Sequence, residues 1–265
     1  MTSYSTYFNI PGVSQNYSKF RPTYPNQIYE EILSYIHQYA KKSSWNLAVD
    51  VACGPGLCTQ PLGKYFKQVI GLDYSHAQIT EAKIINQTHN VQFQTGSAYE
   101  LPCDDNSVDL VTCAQALHCL DEEKFFAEVE RVLKPGTGCL ALYSYKVCSI
   151  SNCDKANQLL SHFINVTLRD YFVKKWYNDT AYGHVILPYC DHTKNESMSM
   201  TGSMSLKDFI NFIKSWATYH RLLQDATTDP LPELRVKLQE ALMETTGADV
   251  IEYRFPVFLL QWRKP

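Results

Sequence analysis

Between residues 46 and 145 the chain repeats short apolar runs, NLAVDVA, QVIGLD, VQFQT, VDLVTCA and CLALYSY, each apolar at consecutive rather than alternating positions. Such runs read as strands buried on both faces, and the helix-like segments between them imply a parallel sheet covered on both sides. Helix boundaries support this division. Ser75 and Gln78 have the spacing of a capping box, Asp121 is a natural N-cap for EEKFFAEVERVL, and KPGTG stops that helix. Upstream, NQIYEEILSYIHQYAKK sets Ile28, Ile32, Tyr35, Ile36 and Tyr39 on one helical stripe that can pack on the sheet.

Past Tyr145 the alternation stops. NQLLSHFINVTLRDYFVKKWY and SLKDFINFIKSWATYHRLLQ each read as a helix, joined by a polar, irregular stretch around CDHTKNESMSMTG. LPELRVKLQEALMET is a further helix, and Pro256 divides ADVIEYRFPVFLLQWRK into two strand-like runs that can close the sheet. The fold expected is α/β, a doubly wound, mostly parallel seven-stranded sheet with a helical lid. Its parts are an N-terminal cap (1–45), an α/β core (46–145), the lid insertion (146–225) and a closing helix with strands (226–265). No internal repeat interrupts this order.

Composition narrows the function classes. With 265 residues and 45% hydrophobic positions the chain can bury a sizeable core. Its 24 Lys plus Arg against 27 Asp plus Glu give a net charge of -3, and no basic block tracks a phosphate backbone, which disfavours nucleic acid. MTSYSTYFNIPG has neither a basic nor an apolar leader region, and no apolar run approaches membrane-spanning length, so a cytoplasmic protein off the membrane is expected. Nine scattered cysteines without a Cys-x-x-Cys pair fit reduced thiols. Cys190 and His192 lack the further ligands of a catalytic metal, and none is expected.

Gly54 and Gly56 follow the first strand, where an open α/β sheet holds its ligand, although a Gly-Pro-Gly can also be a plain tight turn. A dinucleotide fingerprint would need Gly where Thr59 stands, and a phosphate loop would need Ser or Thr where Tyr65 stands. Asp73 closes the second strand, at the distance of an acid that accepts from ribose hydroxyls. The combination calls for a ribose without a diphosphate.

These motifs resemble the class I S-adenosylmethionine-dependent methyltransferases: VDVACGPG, GLDYS, GSAYELPCDDNSVDLVTCAQALH and FFAEVERVLKPGTGCLAL occur in that order. YSKFRPTYP from Tyr17 and WATYH from Trp216 further resemble the trans-aconitate and cantharidin methyltransferase-like small-molecule family. The resemblance implies S-adenosylmethionine as cofactor and S-adenosylhomocysteine as product. It places Asp50, Gly54 and Gly56 along the methionine part, Asp73 at the ribose and Tyr74 on the adenine face. Ser97 and Ala98 would border the adenine edge, and Ala114 and Gln115 would lie beneath the sulfonium. Tyr17 and Arg21 would hold the cofactor carboxylate. The family often has an acid where Ser97 stands, which puts the adenine amino contact in question.

His118, just past the fourth strand, is the candidate base, because a phenol of pKa near 10 is only about one part in a thousand ionised at pH 7. A packed structural histidine is the alternative. Relatives that methylate carboxylic acids often read His-Trp here; Cys119 removes that indole donor and counts against a strongly anionic substrate. Tyr7, Phe8, Trp176, Tyr177, Tyr182, Phe212, Trp216 and Tyr219 offer aromatic surface, and His220 a polar contact, of which two or three would touch substrate. The expectation is an O-methyltransferase, monomeric or weakly dimeric, acting on a small phenolic acceptor. Carboxyl O-methylation, small-molecule N- or S-methylation, a protein or RNA substrate, and a non-catalytic cofactor-binding module are the alternatives.

Overall fold

The computed structural model describes residues 13–40, 45–172, 182, 183, 185 and 192–265. Tyr7, Phe8, Trp176, Tyr177 and Cys190 lie outside these residues. Strands β1 (Trp45–Val51), β2 (Phe66–Asp73), β3 (Val91–Thr95), β4 (Leu110–Ala114) and β5 (Cys139–Tyr145) pair in parallel in the order β3-β2-β1-β4-β5. The chain winds outward one way from β1 and then restarts at β4, so the order reverses between β1 and β4. That reversal opens a crevice at the carboxyl ends of the strands.

Helices cover both faces, as the doubly apolar strands require. On one, Ile28, Ile32 and Ile36 of α2 (Asn26–Tyr39) pack with Ile79 and Ala82 of α3 (His76–Ile85). On the other, Phe125, Val129 and Val132 of α4 (Glu122–Val132) pack with Val49, Val111 and Leu140. Asp121 caps α4 by accepting from the Lys124 N–H at 3.3 Å. The capping box at α3 is only half formed: Ser75 Oγ accepts from the Gln78 N–H, but Ser75 N–H donates to Asp73 and the Gln78 side chain does not reach back.

The C-terminal half departs from the sequence reading in three places. The runs around Pro256 form one strand, β9 (Val250–Arg263), that changes partners at the proline. Residues 257–263 run antiparallel to β5, while β7 (His192–Asn195) occupies the opposite edge, completing seven strands. Residues before the proline pair with β6 (Ser149–Ile150) and β8 (Ser199–Ser205). The polar stretch read as irregular therefore supplies β7 and β8, because so long a strand leaves backbone groups to be paired.

The two long helices of the insertion are also broken. Helix α5 (Asp154–His162) gives way to a π turn at Phe163–Thr167, where β-branched Ile164, Val166 and Thr167 crowd the preceding turn. SLKDFINFIKSWATYHRLLQ becomes α6 (Leu206–Lys214) and α7 (Ala217–Asp225), because Trp216 leaves helical geometry at φ -82, ψ 126. Helix α8 (Leu231–Thr246) ends on Gly247 and packs against α5.

Asp50, near the end of β1, is fully buried, and its carboxyl accepts from Thr59 Oγ1 at 2.6 Å and Thr112 Oγ1 at 2.7 Å. It ties the loop after β1 to β4. Burial pushes its carboxyl up to about 6, against the pull of the two hydroxyls. The folded state thus holds this proton more tightly than the unfolded chain does, so the contribution to stability is full below about pH 4 and is lost as pH rises through about 6. The span is on the order of 3 kcal/mol. Asp50→Asn, which keeps a neutral donor and acceptor between the threonines, is expected to flatten this slope; denaturant titrations of parent and variant at pH 4, 5, 6 and 7 check it, and parallel pH profiles would refute it.

Candidate active site

A cavity of about 400 Å³ lies at the carboxyl ends of the strands. It is lined, in chain order, by Gly54 after β1, Asp73 at the end of β2, Ser97 and Ala98 after β3, Ala114, Gln115 and His118 after β4, and Tyr145 at the end of β5. Above them lie Tyr17 on α1 (Val13–Phe20) and Arg21, while Ile164, Phe172, Phe212, Trp216 and Phe255 wall one side.

Asp73 is the firmest element. Its Oδ2 accepts from Gly54 N–H and its Oδ1 from Ser75 N–H, both at 2.8 Å. Burial pushes the carboxyl up and the two backbone donors pull it down. Each oxygen keeps a lone pair for a further donor, the pattern suited to two vicinal hydroxyls.

The two glycines have different reasons for being glycine. Gly54, at φ +56, lines the cavity, and a Cβ there would meet no atom within 4 Å: the space is open to the cavity. Gly56, at φ +82, lies off the cavity, and a Cβ would sit 2.4 Å from Cζ of the Phe93 ring. It is a packing glycine. Ala52 (φ 55) and Gln115 (φ 54) hold left-handed backbone without being glycine, and both line the cavity. Strain of this kind concentrates at functional sites. Gln115 is locked there, its amide donating to Tyr145 O at 3.1 Å and accepting a short bond from Ser144 Oγ.

Arg21 links separate parts of the chain. Its Nε donates to Ser215 Oγ at 3.0 Å, Nη1 to the Tyr145 hydroxyl at 2.5 Å and Nη2 to Ser215 O at 3.3 Å. The guanidinium lies 4.6 Å from the Tyr17 ring centroid and 5.4 Å from that of Phe212. Burial pushes the Tyr17 phenol up, and Arg21 opposes that. All these partners are neutral, and among the described residues two of the guanidinium N–H donors have no partner, which suits an anion. Helix α1 is held down by Ser18 Oγ donating to Glu81 at 2.7 Å.

Of the remaining candidates, Tyr74 stands 57% exposed at the mouth, and His118 lies on the short 3₁₀ turn Leu117–Cys119 in the cavity wall. Trp216 reaches the cavity because the chain breaks between α6 and α7. Five candidates do not line it. Besides Gly56, Asp50 is committed to its two threonines. Tyr182 packs edge-on to Phe258, centroids 4.9 Å apart, in the core beside α4. Tyr219 donates to Asp229 at 2.8 Å, and the His220 ring bonds Lys214 O at 2.8 Å. The sequence reading missed Ala52, Gln78, Tyr99, Tyr145, Ile164, Phe172 and Phe255. Only Tyr145 carried a usable signal: it ends its strand as Asp73 does.

A doubly wound sheet with a glycine turn, a ribose-type acid and a cavity at the topological switch defines a class I S-adenosylmethionine-dependent methyltransferase. The family model for a methyltransferase domain matches residues 49–141. A Dictyostelium discoideum protein assigned as a methyltransferase is 32% identical over 255 residues, covering 95% of this chain and 93% of that one. The Saccharomyces cerevisiae protein CRG1, described as an S-adenosylmethionine-dependent methyltransferase, is 25% identical over 260 residues, with 85% and 86% covered. A type II methyltransferase structure from Anaeromyxobacter dehalogenans shares the fold, with a TM-score of 0.73 at 23% identity over 92% of this chain and 98% of that one. The chain belongs to the methyltransferase family, and S-adenosylmethionine is its cofactor. The residues present fit that molecule: Gly54 leaves open space, Asp73 keeps free lone pairs, and the buried Gln78 Oε1 beside them has no hydrogen-bond partner among the described residues.

Three variants separate the roles. Asp73→Ala is expected to weaken S-adenosylhomocysteine binding at least tenfold by calorimetry. Gly54→Ala should also weaken it, at a folding cost of about 1 kcal/mol for alanine at positive φ. Gly56→Ala should instead lose on the order of 3 kcal/mol of stability through strain and the Phe93 overlap. Equal melting temperatures for the two glycine variants would show the distinction to be wrong.

Proposed function

We propose that the protein is an O-methyltransferase of the trans-aconitate and cantharidin methyltransferase-like group, acting as a monomer or weak dimer on a small phenolic acceptor. The observation that carries this reading is the wall of Ile164, Phe172, Phe212, Trp216 and Phe255 beside the cofactor residues. An apolar, largely aromatic wall of this kind suits a small flat molecule. A protein or nucleic-acid substrate would need an open face, and no basic block accompanies this one.

S-adenosylmethionine supplies a methyl group already activated by its sulfonium. The chain's share is to bind, align and exclude water. Asp73 would hold the ribose hydroxyls and Gly54 let the backbone approach. Arg21, with two guanidinium N–H groups unspent among the described residues, is matched to the cofactor carboxylate. His118 would take the phenolic proton of the acceptor on a ring nitrogen. Carboxyl O-methylation is the second reading, favoured by Arg21 should its free donors face the acceptor instead. No helix among the described residues is long and apolar enough to cross a membrane.

The test is S-adenosylhomocysteine release with matched phenols and carboxylic acids. Turnover of phenols is expected; turnover of acids alone would replace the first reading by the second. His118→Ala is expected to lower phenol turnover roughly 100-fold or more near neutral pH and to recover as pH approaches that of phenol ionisation. A profile parallel to the parent would make His118 structural.

A further inference from the structure

Tyr145 is 7% exposed, lines the cavity and closes β5. Its hydroxyl oxygen accepts from Arg21 Nη1, and among the described residues no group accepts its proton. A phenol oxygen has a single proton, and the guanidinium has only protons to offer, so Arg21 turns the Tyr145 O–H away from itself. Burial pushes this phenol up, and Arg21 only partly offsets the push, so the group stays a donor and does not serve as a base.

Strand order says which ligand this donor meets. Gly54, Asp73 and Ser97 follow β1, β2 and β3, whereas Tyr145 ends β5, two strands beyond β1. At strand spacings of about 4.8 Å, that sets it roughly 10 Å across the sheet from the glycine turn. Its ring packs edge-on to Phe255 at 5.1 Å, and Phe255 in turn meets Phe212 at 5.5 Å, so it belongs to the aromatic wall. His118 follows β4, one strand away.

We propose that Tyr145 is a specificity-determining hydrogen-bond donor to the acceptor, and that the acceptor is a small aromatic molecule with a second oxygen, a carbonyl, ether or further hydroxyl, near the one that is methylated. This rests on the small-molecule reading above. The Tyr145 O–H donates a hydrogen bond to that second oxygen while the methylated oxygen faces His118.

The test needs no turnover. Protein saturated with S-adenosylhomocysteine is titrated by calorimetry with two pairs that exchange an oxygen for a methylene: 2-methoxyphenol against 2-ethylphenol, and 2-methoxybenzoate against 2-ethylbenzoate. The parent is expected to prefer the oxygen-bearing member of a pair by roughly three- to tenfold, the range of one neutral hydrogen bond. Tyr145→Phe should abolish the preference. Ser215→Ala, which removes another anchor of Arg21 but not the phenol, should retain the preference. If Tyr145→Phe melts more than about 10 °C below the parent, Tyr145→Met, which also lacks a donor, repeats the measurement. A preference confined to the benzoates supports Tyr145 while overturning the phenolic reading. No preference in the parent, or a preference that survives loss of the phenol, would overturn the inference.

Discussion

The site depends on one carboxylate held by two backbone N–H groups. Asp73 ends β2, and by accepting from Gly54 and Ser75 it fixes both the turn after β1 and the start of α3. Neither end is free to drift without leaving a partly buried carboxylate short of a donor, which is costly. Asp50 does the complementary work one layer below, where Thr59 and Thr112 bind the same turn to β4. One acid therefore faces the ligand and the other anchors the scaffold. They look alike in the sequence, each near the end of an apolar strand, and burial separates them.

Strand order then divides the cavity. Gly54, Asp73 and Ser97, at or just past the ends of β1, β2 and β3, form the polar end, while Tyr145 at the end of β5, Phe172, Phe212 and Trp216 of the insertion and Phe255 of β9 form the aromatic end. The division falls at the reversal between β1 and β4, where neighbouring strands send their following loops to opposite sides. His118 and Gln115 stand at that boundary, where the chemistry of both ends meets. Holding Gln115 at positive φ costs energy, and its bonds to Ser144 and Tyr145 compensate by locking the amide.

The sheet and the polar end of the cavity were legible in the chain because their signals are local. Apolar runs, an N-cap and a glycine turn each lie within a few residues. Gly54 and Gly56 show the limit, since the second is explained by Phe93, some forty positions away and visible only when β3 packs under the turn. WATYH shows another. Trp216, Tyr219 and His220 share helical spacing and read as one face, yet the chain leaves helical geometry at Trp216, so the indole reaches the cavity while Tyr219 turns to Asp229. Likewise CLALYSY contains two tyrosines on one face of β5, and only Tyr145, at the strand's end, reaches the crevice. The strands β7 and β8 were hidden for a different reason: their polar residues carry little strand signal, and the long edges of β9 supply the pairing.

The break between α6 and α7 follows from the same network. Ser215 is fully buried; its hydroxyl donates to Phe212 O at 2.6 Å and accepts from Arg21. A continuous helix would carry Ser215 through on a regular turn and leave no reason for Trp216 to stand extended. With the break, the serine carbonyl and hydroxyl both face the guanidinium, and Arg21 gains the neutral partners a buried cation needs short of an anion. The segment carrying Tyr17 and Arg21 is thereby coupled to the aromatic wall at Phe212 and Trp216, and both are coupled to β5 through Tyr145. Closing the polar end and shaping the aromatic end are one packing event, because the same arginine belongs to each.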